Sequence, residues 1–146
     1  MIKNIIPITA LILCLFAFSN DNARQVILTS KAPAPIGPYS QAIRSKSGVL
    51  YVSGQIALRP DGSLDTSSIE KECTQVLNNI KAILEAGGKN LRDVSKTTIY
   101  LTDLKNFSKV NDVYASFFLS EPPARETIEV KALPKGASVE ISLIAD

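Results

Sequence analysis

The chain has 146 residues, enough for one domain and too few for two ordinary ones. Hydrophobic residues make up 45% and charged residues 21%, which excludes disordered and collagen-like proteins. A net charge of +2 argues against a nucleic-acid-binding or membrane-surface protein, and the absence of histidine excludes Ser-His-Asp and Cys-His catalysis. With only Cys14 and Cys73, no metal site is predicted. Acid–base chemistry therefore has to use Asp, Glu, Lys, Tyr or water.

The first residues predict an export signal. One basic residue precedes an uncharged, largely apolar run over 5–18, and a polar segment begins at Ser19. A basic start, a short apolar core and small residues near a cleavage point are typical of secretory signal peptides. Ala17 and Ser19 predict cleavage after Ser19, which makes 1–19 a signal peptide and 20–146 the functional domain. The expected location is periplasmic or secreted, with no membrane attachment after cleavage; the alternatives are an uncleaved anchor and a cytoplasmic protein.

In chain order, the remaining sequence predicts an α+β domain. A proline-rich extended segment follows the first β-prone run, and two helices interrupt the later strands, which gives the element order βββ-α-β-α-ββ. The helices are expected on one side of a mixed sheet, so that the other face is bare and subunits pack together. Bounds are predicted for five of these six strands, at 26–29, 49–53, 94–101, 127–132 and 138–145.

Two amphipathic helices are predicted from apolar residues that repeat with a 3.6-residue period. The first is expected to begin with a capping box from Ser67 to Glu70 and to end at Gly87-Gly88. The second is expected to end before Pro122-Pro123. The side chains predicted on its buried side are Phe107, Val110, Val113, Tyr114, Phe117 and Phe118.

Four residues are candidates for lining a pocket, and each has a structural alternative. Tyr39 follows a Gly-Pro turn, where it either contacts a ligand or anchors the turn. Ser53 and Gly54 end a strand, where glycine permits close approach of a ligand or marks a β-bulge. Asn111 lies within a helix, where Asn has poor propensity, so it is either solvated or ties down a neighbouring loop.

Two charged residues are candidates for chemistry. Arg125 enters a strand, where its guanidinium is a good bidentate partner for a carboxylate; a surface ion pair is the commoner alternative. Strand alternation places Glu140 on the face opposite Val139 and Ile141. If a partner subunit covers that face, Glu140 is a buried carboxyl group with a raised pKa, and otherwise it is a solvated strand residue.

Taken together and in order, these segments resemble the RidA/YjgF family of reactive-intermediate deaminases, which act on 2-iminobutanoate and 2-iminopropanoate. The resemblance covers roughly 26–145, and its most specific parts are the Gly-Pro-Tyr, Pro-Ala-Arg and final Glu segments. The matching segments are 31–42, 52–56, 79–87, 94–98, 110–111, 123–125, 133–135 and 139–141.

The resemblance implies a chorismate-mutase-like α+β fold, a homotrimer whose sheets enclose a central barrel, and active sites between subunits. It implies that Arg125 binds the substrate carboxylate and that Glu140 positions or activates water. The residues implied to contact substrate are Tyr39, Ser53, Gly54, Asn111 and, through its backbone, Thr127.

Two positions depart from the family pattern. Thr127 stands where many members have Cys, and Ser142 stands where many have a second Glu. The second change removes a charge near the site and bears on substrate preference. The resemblance implies hydrolytic deamination of 2-imino acids and their enamines without a cofactor. The alternatives are a non-catalytic trimer that binds small carboxylates or proteins and, less favoured by the charge, an endoribonuclease or translation inhibitor.

Overall fold

The computed structural model describes residues 23–146, so the predicted signal peptide lies outside the described residues. A six-stranded sheet has the strand order β1-β2-β3-β6-β4-β5. The β4–β5 pair is parallel, whereas the other neighbouring strands are antiparallel. The strands are β1 (Gln25–Ile27), β2 (Ala42–Arg44), β3 (Leu50–Gln55), β4 (Val94–Leu101), β5 (Ala124–Glu129) and β6 (Val139–Ala145).

Helices α1 (Ile69–Ala86) and α2 (Phe107–Phe117) pack together, and α1 lies on β3 and β6. The predicted α+β class and element order are therefore confirmed. Along β6, Val139, Ile141 and Leu143 are buried under the helices, while the residues between them are only partly buried. The sheet thus has a helix-covered face and an open face.

Helix α1 begins one residue later than predicted, and the expected capping box is absent. Ser68 is the N-cap, and its hydroxyl oxygen accepts a hydrogen bond from the Lys71 amide at 3.3 Å. Ser67 is engaged elsewhere, because its hydroxyl donates to the Asp65 carboxylate at 2.7 Å. The third residue after the true cap is Lys71, whose side chain has no acceptor to complete the box.

The predicted strand boundaries near the candidate residues were wrong. Strand β5 spans Ala124–Glu129 rather than 127–132, because it pairs with β4 from Ala124 onward and that pairing ends with β4 itself. Pro123 has no amide hydrogen to extend the ladder further back. Strand β3 continues past Gly54 to Gln55 through an irregular stretch of its pairing with β6.

The buried side predicted for α2 also needs correction at its first residue. Val110 and Tyr114 are buried, but Phe107 is 40% exposed at the start of the helix.

In residues 23–146, no helix combines the length and the apolar character needed to cross a membrane.

Candidate active site

Glu140 lines a cleft of about 250 Å³ beside the paired strands β3 and β6. Three other candidates from the sequence, Tyr39, Ser53 and Gly54, line the same cleft. The remaining lining residues, Ile36, Ile56 and Pro134, are apolar. One carboxyl group is thus held in a small, partly apolar cleft on the open face. We call this the Glu140 cleft.

Gly54 is needed because the Glu140 carboxyl group lies directly over it. A β-carbon at Gly54 would overlap the nearer Glu140 carboxylate oxygen and stand 2.7 Å from the carboxyl carbon. The pairing of β3 with β6 shifts register between Val52 and Gln55, so Gly54 lies in the bulge. The two readings of Gly54 therefore combine: the bulge exists, and the group that approaches the backbone closely is Glu140.

The Glu140 carboxyl group is electrostatically isolated. It is half-buried, and within residues 23–146 it makes no hydrogen bond or ion pair. Burial raises its pKa above the usual value of 4.5. A carboxyl group whose pKa is raised holds its proton to higher pH than a solvated one, which suits it to the role of a proton donor.

The loop beside this cleft is held by hydrogen bonds to the main chain. The Ser53 hydroxyl donates to the Ser40 carbonyl oxygen at 2.7 Å, and the Ile36 amide donates to the Tyr39 hydroxyl oxygen at 3.2 Å. The Tyr39 side chain nevertheless remains 47% exposed. Tyr39 is thus both the anchor of its turn and a wall of the cleft.

Gln41, which the sequence analysis did not single out, organises the proline-rich segment. It is 1% exposed, and its amide nitrogen donates to the carbonyl oxygens of Thr29 at 3.0 Å and Pro33 at 2.8 Å. Its amide oxygen accepts from the Thr29 amide at 2.7 Å. Because proline residues offer no amide hydrogens, this side chain satisfies backbone groups that no strand partner reaches.

Arg125 and Asn111 line a second cleft of about 460 Å³ between α2 and the start of β5, which we call the Arg125 cleft. Asn111 is half-buried, and its amide makes no hydrogen bond within residues 23–146, so it ties down no described loop. The other lining residues, which are aromatic, small or proline, are Tyr114, Ala115, Phe118, Pro122 and Pro123.

Arg125 is not part of a surface ion pair in the described part of the chain. Its guanidinium carbon instead lies 4.9 Å from the centre of the Tyr114 ring and 5.8 Å from that of Phe107. No carboxylate of residues 23–146 lies within 4.0 Å of its nitrogens. The guanidinium therefore retains its N–H donors for an external anion.

The two clefts lie on opposite faces of the sheet. Arg125 is the register partner of Thr97, a buried residue that bonds to α2 on the helix-covered face. Glu140 is the register partner of Tyr100, three residues further along β4 and therefore on the open face. One copy of the chain thus does not bring the predicted charged residues into one pocket.

Thr127 belongs to neither cleft. It follows Arg125 by two residues on the same face of β5, beside Ile99, and is half-buried. Ser142 lies on the open face beside Thr98, two residues beyond Glu140.

Within residues 23–146, no group of three or more Cys, Asp and Glu residues is arranged to hold a metal ion.

Substituting Gly54 with alanine tests the packing under Glu140. We expect the clash to destabilise the protein by about 1–3 kcal/mol, the usual cost of overpacking. The double variant Gly54→Ala/Glu140→Ala is the matched control, because it removes the group that the new methyl would strike. Thermal melts should show the loss in the single variant and its recovery in the double variant. Equal stability of all three proteins would show that the carboxyl group does not rest on Gly54.

The chain is thus an α+β protein with one cleft that holds a carboxyl group and a second, on the other face of its sheet, that holds a guanidinium. Residues 29–146 match the family model described as Endoribonuclease L-PSP. The chain belongs to this family, which is the RidA/YjgF family.

Relatives with a known name or structure are similar over nearly their whole length. The 2-iminobutanoate/2-iminopropanoate deaminase of Bos taurus is 47% identical over 123 residues, covering 84% of this chain and 89% of the relative. The structure of the Rid family protein YyfA from Yersinia pestis, of unknown function, has a TM-score of 0.82 at 53% identity and covers 84% of this chain and 98% of its own. The YjgF gene product from E. coli has a TM-score of 0.78 at 39% identity, covering 83% and 97%.

Proposed function

We propose that this protein hydrolyses reactive imines and enamines of 2-oxo acids to the 2-oxo acid and ammonia. The observation that carries the proposal is a pair of groups without ionic partners among residues 23–146: the Arg125 guanidinium has no carboxylate, and the half-buried Glu140 carboxyl group has no cation. A 2-imino acid has a carboxylate for the first and a proton-accepting nitrogen for the second. The named activity of the Bos taurus relative, at 47% identity, supports the same reaction.

Arg125 binds the substrate carboxylate in this proposal. A planar guanidinium offers two parallel N–H donors to a carboxylate, and such charge-assisted pairs fix orientation as well as charge. A neighbouring copy that covers the Arg125 cleft would exclude competing water and so strengthen the pair. Asn111 lies in the same cleft and supplies a further polar contact.

Glu140 handles protons in this proposal. Water adds to the imine carbon to form a carbinolamine, and the protonated Glu140 then donates a proton to the departing amine. The C–N bond breaks and ammonia leaves, while the carbinol oxygen becomes the 2-oxo group and passes its proton to the Glu140 carboxylate, which restores the acid form. The pKa of Glu140, raised by burial, favours the protonated form that this step needs. Imines and enamines of 2-oxo acids already hydrolyse in water, so the barrier is small, and orientation together with one proton donor is sufficient to lower it.

Two copies of the chain complete one site in this proposal. Because Arg125 and Glu140 lie on opposite faces of the sheet, the Arg125 cleft of one copy has to face the Glu140 cleft of another. The open face supports such packing, since Tyr51 and Ile128 are 49% and 44% exposed there. In a closed ring of three copies, the homotrimer that the family resemblance implies, the Arg125 cleft of every copy faces the Glu140 cleft of its neighbour.

The predicted signal peptide adds an exported location to the proposal. The reaction would then clear imines that arise outside the cytoplasm. The expected substrates are small-molecule 2-imino acids.

A competition assay tests the activity. An amino-acid oxidase or threonine dehydratase generates the imine in place, and semicarbazide traps it. An active protein lowers the yield of trapped product and raises that of free 2-oxo acid. If the trapped yield is unchanged at micromolar protein, the deaminase proposal fails. Carboxylate binding without turnover would then favour the non-catalytic trimer.

The family model is named for an endoribonuclease, so the same preparation should be incubated with single-stranded RNA. The net charge of +2 gives little electrostatic attraction to a phosphate backbone. Intact RNA is the expected result. Cleavage that disappears together with imine hydrolysis in a site variant would contradict it.

A further inference from the structure

We propose that Phe107 and Tyr114 are positioning residues: their rings form an aromatic clamp that fixes the Arg125 guanidinium for a substrate carboxylate. The proposal rests on the function proposed above and goes beyond it, because neither ring is among the residues predicted to contact substrate. We use the term aromatic clamp for the rings of Phe107 and Tyr114 only.

The contact geometry carries the first step of the argument. The Arg125 guanidinium carbon lies 4.9 Å from the centre of the Tyr114 ring and 5.8 Å from that of the Phe107 ring. Both distances are within the range in which a ring face attracts a cation. The two rings belong to α2, whereas Arg125 belongs to the edge strand β5. The clamp therefore joins two elements that meet at the Arg125 cleft.

The way Tyr114 is held carries the second step. Its hydroxyl group lies 2.9 Å from the Thr97 hydroxyl group, and both side chains are buried. Thr97 is also the register partner of Arg125 in the β4–β5 pair. A closed triangle results: the backbone of Arg125 is fixed to Thr97, Thr97 is bonded to Tyr114, and the Tyr114 ring lies over the Arg125 guanidinium.

Further packing makes Tyr114 a rigid support. Its ring stacks on Phe118 with the ring centres 4.5 Å apart. Burial raises the pKa of Tyr114, so its phenol stays neutral and keeps its bond to Thr97 at physiological pH. Phe107, at 40% exposed, covers the guanidinium from the outer rim instead. One ring is thus a fixed support and the other a partial cover.

The choice of rings over a carboxylate has a functional consequence. A neighbouring Asp or Glu would hold Arg125 equally well, but it would occupy the N–H donors and neutralise the charge that the substrate needs. An aromatic ring attracts the guanidinium without carrying a negative charge, so it does not neutralise the cation as a carboxylate would. The aromatic clamp therefore reduces the motion of Arg125 without competing with the substrate.

Substitutions of Phe107 test the outer ring. Phe107→Leu keeps an apolar side chain but removes the π face, whereas the matched control Phe107→Tyr keeps the face. We expect Phe107→Leu to weaken binding of 2-oxobutanoate, measured by calorimetry, roughly two- to fivefold, as for an exposed cation–π contact. In the competition assay KM should rise while kcat changes little, and Phe107→Tyr should match the wild type. Because Phe107 is partly exposed, the melting temperatures should agree.

The inner ring is tested through its bond to Thr97. Tyr114→Phe and Thr97→Val each remove that bond while keeping size, and they remove the same interaction from its two ends. ¹⁵N relaxation of the Arg125 Nε–H group should show greater motion in both variants and in Phe107→Leu. The double variant Tyr114→Phe/Thr97→Val should show no more motion than either single variant.

The outcomes separate this proposal from the deaminase proposal. If the wild type fails to hydrolyse imines but Arg125 becomes more mobile in the clamp variants, the deaminase proposal fails and the clamp stands. If Arg125 mobility and 2-oxobutanoate binding are the same in the wild type, Phe107→Leu and Tyr114→Phe, the clamp is refuted whatever the activity of the wild type.

Discussion

Replacing Arg125 with alanine is expected to lower kcat/KM for 2-iminobutanoate by roughly 10²-fold, on the basis of about 3 kcal/mol for charge-assisted hydrogen bonds. Most of the loss should appear in KM, because the carboxylate is bound in both the ground state and the transition state. Binding of 2-oxobutanoate, measured by calorimetry, should fall with it. Folding should be little affected, since the Arg125 side chain is exposed and makes no ion pair within residues 23–146.

Two further variants make the Arg125 result specific. Arg125→Lys should recover little activity, because an ammonium group cannot reproduce the planar bidentate contact. Arg92→Ala is the matched control: Arg92 is exposed and lines a different cleft, so its removal should leave the kinetics unchanged. Full activity of Arg125→Ala would contradict the assignment of the carboxylate site.

Replacing Glu140 with glutamine is expected to lower kcat by about 10²–10⁴-fold, the range for loss of a general acid–base group. KM should change less, because glutamine keeps the size of the side chain and most of its hydrogen-bonding capacity. The acid form of Glu140 is the active one in this step, and burial raises its pKa. The wild-type kcat should therefore fall as pH rises through that raised pKa, and the variant should lack this decrease.

The control for Glu140 is Glu85→Gln, which removes an exposed carboxylate of α1 that lines neither the Glu140 cleft nor the Arg125 cleft. Its kcat and pH profile should match those of the wild type. If Glu140→Gln turns over as fast as the wild type while the wild type competes with the semicarbazide trap, another group transfers the proton.

Periodicity predicted much of the fold and one half of the candidate site. Alternation along 138–145 placed Glu140 on the face opposite Val139 and Ile141, and the structure has it there. Such predictions hold because a strand with one buried face has a fixed side-chain period. The start of β5 was mispredicted because it depends on pairing with β4, a contact between distant segments.

The remaining parts of the site depend on contacts that no local pattern encodes. Phe107 was assigned to the core from its helical spacing, yet it is exposed beside Arg125. The role of Gln41 has one local indication in the sequence, which is its position directly after the proline-rich segment. The separation of Arg125 and Glu140 onto two faces follows from the register in which β5 and β6 pair with β4, which the sequence does not specify.

The most direct test of the account is to combine the two inactive variants in one assembly. Arg125→Ala and Glu140→Gln, carried on differently tagged copies, are co-expressed and the mixed oligomers are purified. If each site takes Arg125 from one copy and Glu140 from its neighbour in a closed ring of three, every mixed ring has one intact site, which is about one third of the sites. We predict about that fraction of wild-type kcat in the competition assay. Activity no higher than that of the two variants measured separately would contradict a site shared between copies.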